Sequence, residues 1–184
     1  MDRGICWRFP IQMKTILTLL VGIFIACTAF AKSPFTLAVV PSNSESKTQS
    51  ITIAKDKPRE FYVILTDASK EARAVFQKWN SWGYQNVCLE FTTEDGKKFI
   101  VSMREQDFTR NFPGTFLIQP GEHQVYPIKL DEKWEITPNL TTDGETKVTL
   151  KAIYRVPPTP EATEHKVWVG RVESKEYNFT LHHW

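Results

Sequence analysis

Cysteine is scarce in this 184-residue chain: of three, only Cys88 lies beyond residue 31, so the body has no partner for an internal disulfide. In Asn86-Val87-Cys88-Leu89-Glu90-Phe91 no neighbour lowers the thiol pKa, and Cys88 reads as buried and inert. Catalytic motifs are missing too. There is no Gly-x-Ser-x-Gly, no His-Glu-x-x-His, no Cys-x-x-Cys, no phosphate-cradling glycine loop and no calcium-loop spacing. Imidazole bases are limited to His123, His165, His182 and His183. His123 follows Pro120-Gly121-Glu122 in a turn and is expected to be exposed, while His182-His183 is expected in a solvated C-terminal tail. Neighbours on a strand point to opposite faces, so those two rings rarely reach one ion. Glu90, Glu94, Asp95 and Asp107 are close in sequence, but a hairpin turn holds two of them, and all read as solvated. No cofactor and no metal site is expected.

A charge imbalance is also absent. Arg3, Arg8, Lys14 and Asp2 fall in the first 31 residues, leaving 20 basic and 20 acidic side chains in the remaining 153. No run of Lys and Arg tracks a phosphate backbone, which argues against nucleic acid as a partner. A body of that size buries about 68–70% of its unfolded surface and suits one domain without covalent staples.

What the chain does have begins with its leader. Lys14 supplies a positive n-region, residues 16–26 form an uncharged apolar run, and Ala29-Phe30-Ala31 has the small-x-small form of a signal-peptidase site. The run is shorter than a membrane span requires. Residues 1–31 therefore read as a signal peptide, with Met13 an alternative start, cleaved between Ala31 and Lys32; residues 32–184 form the single exported domain. The expected location is secreted or periplasmic, without membrane insertion after cleavage. Phe24-Ile25-Ala26-Cys27 resembles a bacterial lipoprotein box, so lipidation at Cys27 and anchoring to the envelope is the alternative.

From Pro34 onward the pattern has period two. Strands are expected at residues 35–40, at Ile51 and Ile53, at 61–66, 74–77, 86–93, 97–103, 115–118, 124–130, 147–156 and 166–180, the last broken at Ser174-Lys175. On the third, Phe61, Val63 and Leu65 share one face and Tyr62 and Ile64 the other, which predicts a central strand covered on both sides. Asp95-Gly96 signals a hairpin. Residues 69–78 are a weak helix candidate. Eight to ten short strands of uneven spacing, with the stiff crossover Pro157-Pro158-Thr159-Pro160, predict an all-β immunoglobulin-like antiparallel sandwich, with a β-barrel as the alternative.

Residues 61–134 carry an apolar strand ending in Leu65-Thr66-Asp67-x-Ser69, the Asp95-Gly96 hairpin, and Pro120-Gly121-Glu122 before a strand leading to Trp134. That skeleton resembles the bacterial intracellular proteinase inhibitor family and its immunoglobulin-like relatives among exported proteins of uncharacterised role. The family more often has Asn at the position of Asp67. The resemblance implies a fold more than an activity. Tyr154-Arg155 and Val167-Trp168-Val169-Gly170-Arg171 lie outside it.

One cluster suggests binding. Trp79, Trp82 and Tyr84, separated by Asn80, Ser81 and Gly83, have the composition of a stacking platform for sugars or a partner's side chains; the competing expectation is that they cap the sandwich core. Trp168, in an alternating strand, is expected to be an inter-sheet core tryptophan. Asn139-Leu140-Thr141 and Asn178-Phe179-Thr180 match a glycosylation pattern that means little in a bacterial protein. The function expected is non-enzymatic binding of a protein or an envelope glycan through end loops 79–84 and 157–165. Two alternatives stand beside it: a proteinase inhibitor presenting a rigid extended loop at 157–164, and an enzyme of unrecognised type.

Overall fold

The computed structural model describes residues 33–41, 50–53, 60–136 and 144–183. The leader with Cys27, Ala31 and Lys32, and Asn139, lie outside them. Eleven strands and two short helices make up the described residues. They are β1 (Phe35–Pro41), β2 (Ser50–Ile53), β3 (Phe61–Asp67), β4 (Arg73–Phe76), α1 (Ser81–Tyr84), β5 (Val87–Thr93), β6 (Lys98–Val101) and β7 (Thr115–Ile118), followed by β8 (His123–Ile128), β9 (Gly144–Val156), α2 (Pro160–Glu164), β10 (Gly170–Glu173) and β11 (Tyr177–His183). No helix among the described residues is long and apolar enough to cross a membrane.

The strands form an all-β sandwich. One sheet runs β1-β3-β8, the other β2-β11-β9-β5-β6, with β10 also on β9, and β4-β7 is a small accessory pair. The chain passes from β3 to β5 and β6 in the opposite sheet, returns to β8 beside β3, and crosses again to β9 beside β5. That order is the immunoglobulin-like Greek key, and the sheets do not close into a barrel. One pairing departs from the antiparallel expectation, because β2 runs parallel to β11.

Period-two alternation sets the core. Phe35, Leu37 and Val39 of β1 and Phe61, Val63 and Leu65 of β3 face Leu89, Phe91, Leu150, Ala152, Tyr154 and Phe179 of the other sheet, all buried. Each such side chain contributes about 1.5–3 kcal/mol by leaving water. As expected, β3 is central to its sheet. Its second face differs: Tyr62 and Ile64 are only half-buried, and the flanking Val40 and Val125 are 40% and 43% exposed.

Turn chemistry sets the register. Gly96 (φ 80°) closes the β5–β6 hairpin, and Gly121 (φ 81°) follows Pro120 in a turn where the Glu122 N–H donates to the Gln119 carbonyl at 2.9 Å. Asp67 is buried, and its Oδ1 accepts from the Ser69 N–H at 2.7 Å, the local bond that the Asp-x-Ser spacing predicts. The break at Ser174 is a bulge. Glu173 pairs with Ile153 and Tyr177 with Leu150, so one extra residue must be absorbed, and the buried Ser174 Oγ accepts the Ala152 N–H at 3.0 Å.

Three expectations are corrected. Of the two readings of residues 69–78, the strand expected at 74–77 is present as β4, with Val75 and Phe76 both buried and Arg73 to Phe76 paired with β7, and the weak helix candidate is not; the helix comes later, at α1. Trp168 is not on a strand: it precedes β10 and is partly buried. The backbone of His182 and His183 belongs to β11, between β2 and β9, and is not a free tail.

Candidate binding groove

Asn80 organises the aromatic loop. It is fully buried; its Oδ1 accepts the Gly83 N–H at 2.9 Å, capping α1, and its Nδ2 donates to the Gly114 carbonyl at 2.9 Å. Gly83 is required for space, since a Cβ there would lie 2.2 Å from the Gln77 carbonyl oxygen. The loop is thus a capped helical turn packed on β4.

That turn sends the three aromatics in different directions. Trp79 is 40% exposed, stands edge-on to Phe112 with centroids 4.7 Å apart, and donates its indole N–H to Gln77 Oε1. Tyr84 turns the other way against Phe108, 5.6 Å between centroids, and burial, with Asp131 adding to it, raises its phenol pKa. Trp82 is half-buried against Phe76, 6.3 Å away. No shared stacking plane exists. Of the three, Trp82 alone reaches the groove described next.

The second end loop joins β9 to β10. Pro157, Pro158 and Thr159 run on from β9, and then Thr159 Oγ1 accepts the Ala162 N–H at 3.1 Å and caps α2, with Pro160 pre-set for its first turn. Ala162 and Val167 anchor this loop in the core. A protease cleft takes an extended segment, and here residues 160–164 are helical. Trp168 then bridges the sheets by edge contact with Phe35 (5.1 Å) and by stacking on Tyr154 (6.1 Å, 17° between planes). Its ring lies over Gly170, where a Cβ would come within 2.6 Å.

Between the loops lies a groove of about 720 Å³. Phe76, Trp82, Val156, Pro157, Pro158 and Val169 give it an apolar lining, with Arg155 and Arg171 at one side. A notch of about 120 Å³ continues from it onto the outer face of the larger sheet; both arginines and Gln85 line the two, and Cys88, Ile153, Ile100 and Ser102 complete the notch. The groove therefore gathers both nominated end loops at one place. A different concavity of about 650 Å³ at the other end of that sheet is lined by Thr92, Thr149, Asn178 and Thr180, with Thr149 already bonded to Asn178.

Charge along this sheet face is ordered. Lys151 Nζ lies 3.1 Å from Glu173, 3.7 Å from Glu90 and 3.8 Å from Glu176, and Lys98 lies 3.0 Å from Glu90. Arg171 reaches Glu173 at 2.7 Å, and this bond, with help from Lys151, holds the Glu173 carboxyl below its ordinary pKa. Cys88 is buried; burial raises its thiol pKa while Arg155 and Arg171 pull it down. Among the described residues no three His, Cys, Asp or Glu side chains gather as a metal site. His123, exposed at the start of β8, has Nδ1 2.8 Å from Thr66 Oγ1.

Sequence reading missed Arg155, Arg171, Val169 and the supporting Asn80. The one visible signal was Asn80 itself, a helix-capping residue placed before Ser81-Trp82-Gly83.

No protein-family model and no curated protein matches the chain. Among solved structures, a chain described as "AvmM Catalyzes Macrocyclization in Alchivemycin A Biosynthesis" aligns over 82% of this chain and 90% of its own, with 10% identity and a TM-score of 0.34. At that level neither fold nor activity is carried across.

Proposed function

We propose that the chain is an exported binding module of the envelope or extracellular space, and that its ligand docks in the groove between α1 and the β9–β10 loop. The supporting observation is convergence: two end loops, each held by its own helix cap and buried anchors, line one apolar groove with two guanidiniums beside it. A pre-formed groove of this kind loses little conformational freedom on binding.

The ligand class at this level is a protein segment or a glycan. Screening residues 32–184 against a random hexapeptide display library and a glycan array supplies defined ligands. Trp82→Ala is expected to reduce binding at least tenfold, and Trp79→Ala, whose ring faces Phe112 outside the groove, to leave it within twofold. Ligands indifferent to Trp82 but lost with Trp79 would move the site to the Phe112 side.

A further inference from the structure

We infer that the groove's occupant is an acidic peptide segment of a partner protein, with a carboxylate seated between Arg155 and Arg171 and a neighbouring apolar side chain lying against Trp82, Pro157 and Val169. This rests on the docking reading above and names its ligand.

The first ground is a cross-strand conflict. Arg155 and Arg171 are direct register partners on the antiparallel β9–β10 pair, so their side chains leave the same face of the sheet side by side. Like charges placed directly opposite destabilise a sheet. Arg171 is matched by Glu173, but no carboxylate among the described residues reaches Arg155. Both arginines line the small notch, whose volume of about 120 Å³ has the size for one compact anionic group. A carboxylate there accepts from both and removes the repulsion.

The second ground separates peptide from sugar. Sugar recognition needs several free directional hydrogen-bonding groups at the surface, and those of the groove are engaged within the protein or buried. Asn111 Nδ2 donates to Ser81 Oγ at 2.7 Å, Gln85 Nε2 donates to the Met103 carbonyl at 2.8 Å, Thr159 Oγ1 caps α2, and the Asn86 Nδ2, which has no partner, is buried. What remains open is cationic or apolar. That pairing suits an Asp or Glu beside a Leu, Phe or Trp on an extended peptide, and Pro157 and Pro158 offer no N–H for strand addition, so side-chain contacts must supply the affinity.

The test uses the hexapeptides selected by residues 32–184. Asp or Glu adjacent to an apolar residue is expected to be enriched, and Arg155→Ala, which removes an exposed side chain outside the core, to weaken those peptides about tenfold, the loss of one charge-assisted contact. Changing the peptide's acid to its amide should weaken wild type equally and the Arg155→Ala protein no further. Arg155→Lys is expected to restore part of the affinity. Peptides without acidic enrichment, insensitive to Arg155→Ala yet lost with Trp82→Ala, overturn the carboxylate inference and leave the docking groove standing. Peptides insensitive to both variants overturn both. A polyuronate oligosaccharide bound through Arg155 when no peptide is selected would replace the peptide with an acidic glycan and overturn the inference.

Discussion

Two rows on one sheet face, with a single row between them, handle charge in opposite ways. In the middle row Glu90 of β5 pairs across with Lys151 of β9, and Lys98, Glu173 and Glu176 extend an alternating network. Four residues further along β9, past the row of Cys88, Ile153 and Glu173, Arg155 faces Arg171. The first row agrees with what stabilises a sheet, and the second conflicts with it. Local conflicts of this kind concentrate at functional sites, since stability alone would remove them. The conflict also lies beside the groove that the two end loops enclose, while the satisfied row lies away from it.

The comparison holds only if the like-charged row is rigidly placed, which gives the largest expected effect. Trp168 joins Phe35 of one sheet to Tyr154 of the other on the core side of the strand that carries Arg155. Trp168→Ala is expected to cost about 2–3 kcal/mol in urea unfolding, less than a fully buried tryptophan because the ring is partly exposed. A loss under about 0.5 kcal/mol would mean a frayed sheet end, where two arginines simply diverge into solvent.

The matched row comes next. Lys151 is the cation common to Glu90, Glu173 and Glu176, and its side chain is only 20% exposed. Lys151→Ala leaves three carboxylates facing one another and is expected to cost about 1 kcal/mol, more than a single exposed pair because several charges are shared. No measurable change would reduce the network to decoration and remove the contrast.

Arg155→Glu should act in the other direction. It turns the like pair into an opposite one and is expected to raise stability by about 0.5 kcal/mol while abolishing acidic-peptide binding. A variant both more stable and inactive is the signature of a residue kept for function. Destabilisation by that change would show that Arg155 already has a structural role.

How much of this was legible beforehand follows from what is local. The sandwich, the Asp95-Gly96 hairpin, the Pro120-Gly121 turn and the Ser174 break all rest on short-range patterns, and the structure has them in place. The directions of Trp79, Trp82 and Tyr84 do not: a four-residue helix capped by Asn80 rotates successive rings apart, where an irregular loop could have held them together. The alternation at 167–171 suggested a strand through Trp168, but α2 and its exit use up the loop until Gly170. Arg155 and Arg171 each look like an ordinary outward residue. Only the register of two strands separated by a 13-residue connection makes them partners, and register is a tertiary property.

The smallest expected effect is a titration that reads both rows at once. Glu173 belongs to each, bonded to Arg171 at 2.7 Å and to Lys151 at 3.1 Å, and these bonds, Arg171 first, lower its pKa from the ordinary 4.5. A carboxyl lowered in the folded state adds stability that is fully present above its unfolded pKa and is lost as pH falls through the folded one. Arg171→Ala should therefore move the Glu173 carboxyl signal in NMR titration back toward 4.5 and flatten the acid limb of the stability curve. Arg155→Glu should also raise it, by adding a second carboxylate that shares Arg171. If Arg155→Glu leaves Glu173 unmoved, the two arginine heads are not adjacent, and the like-charged row does not exist as a unit.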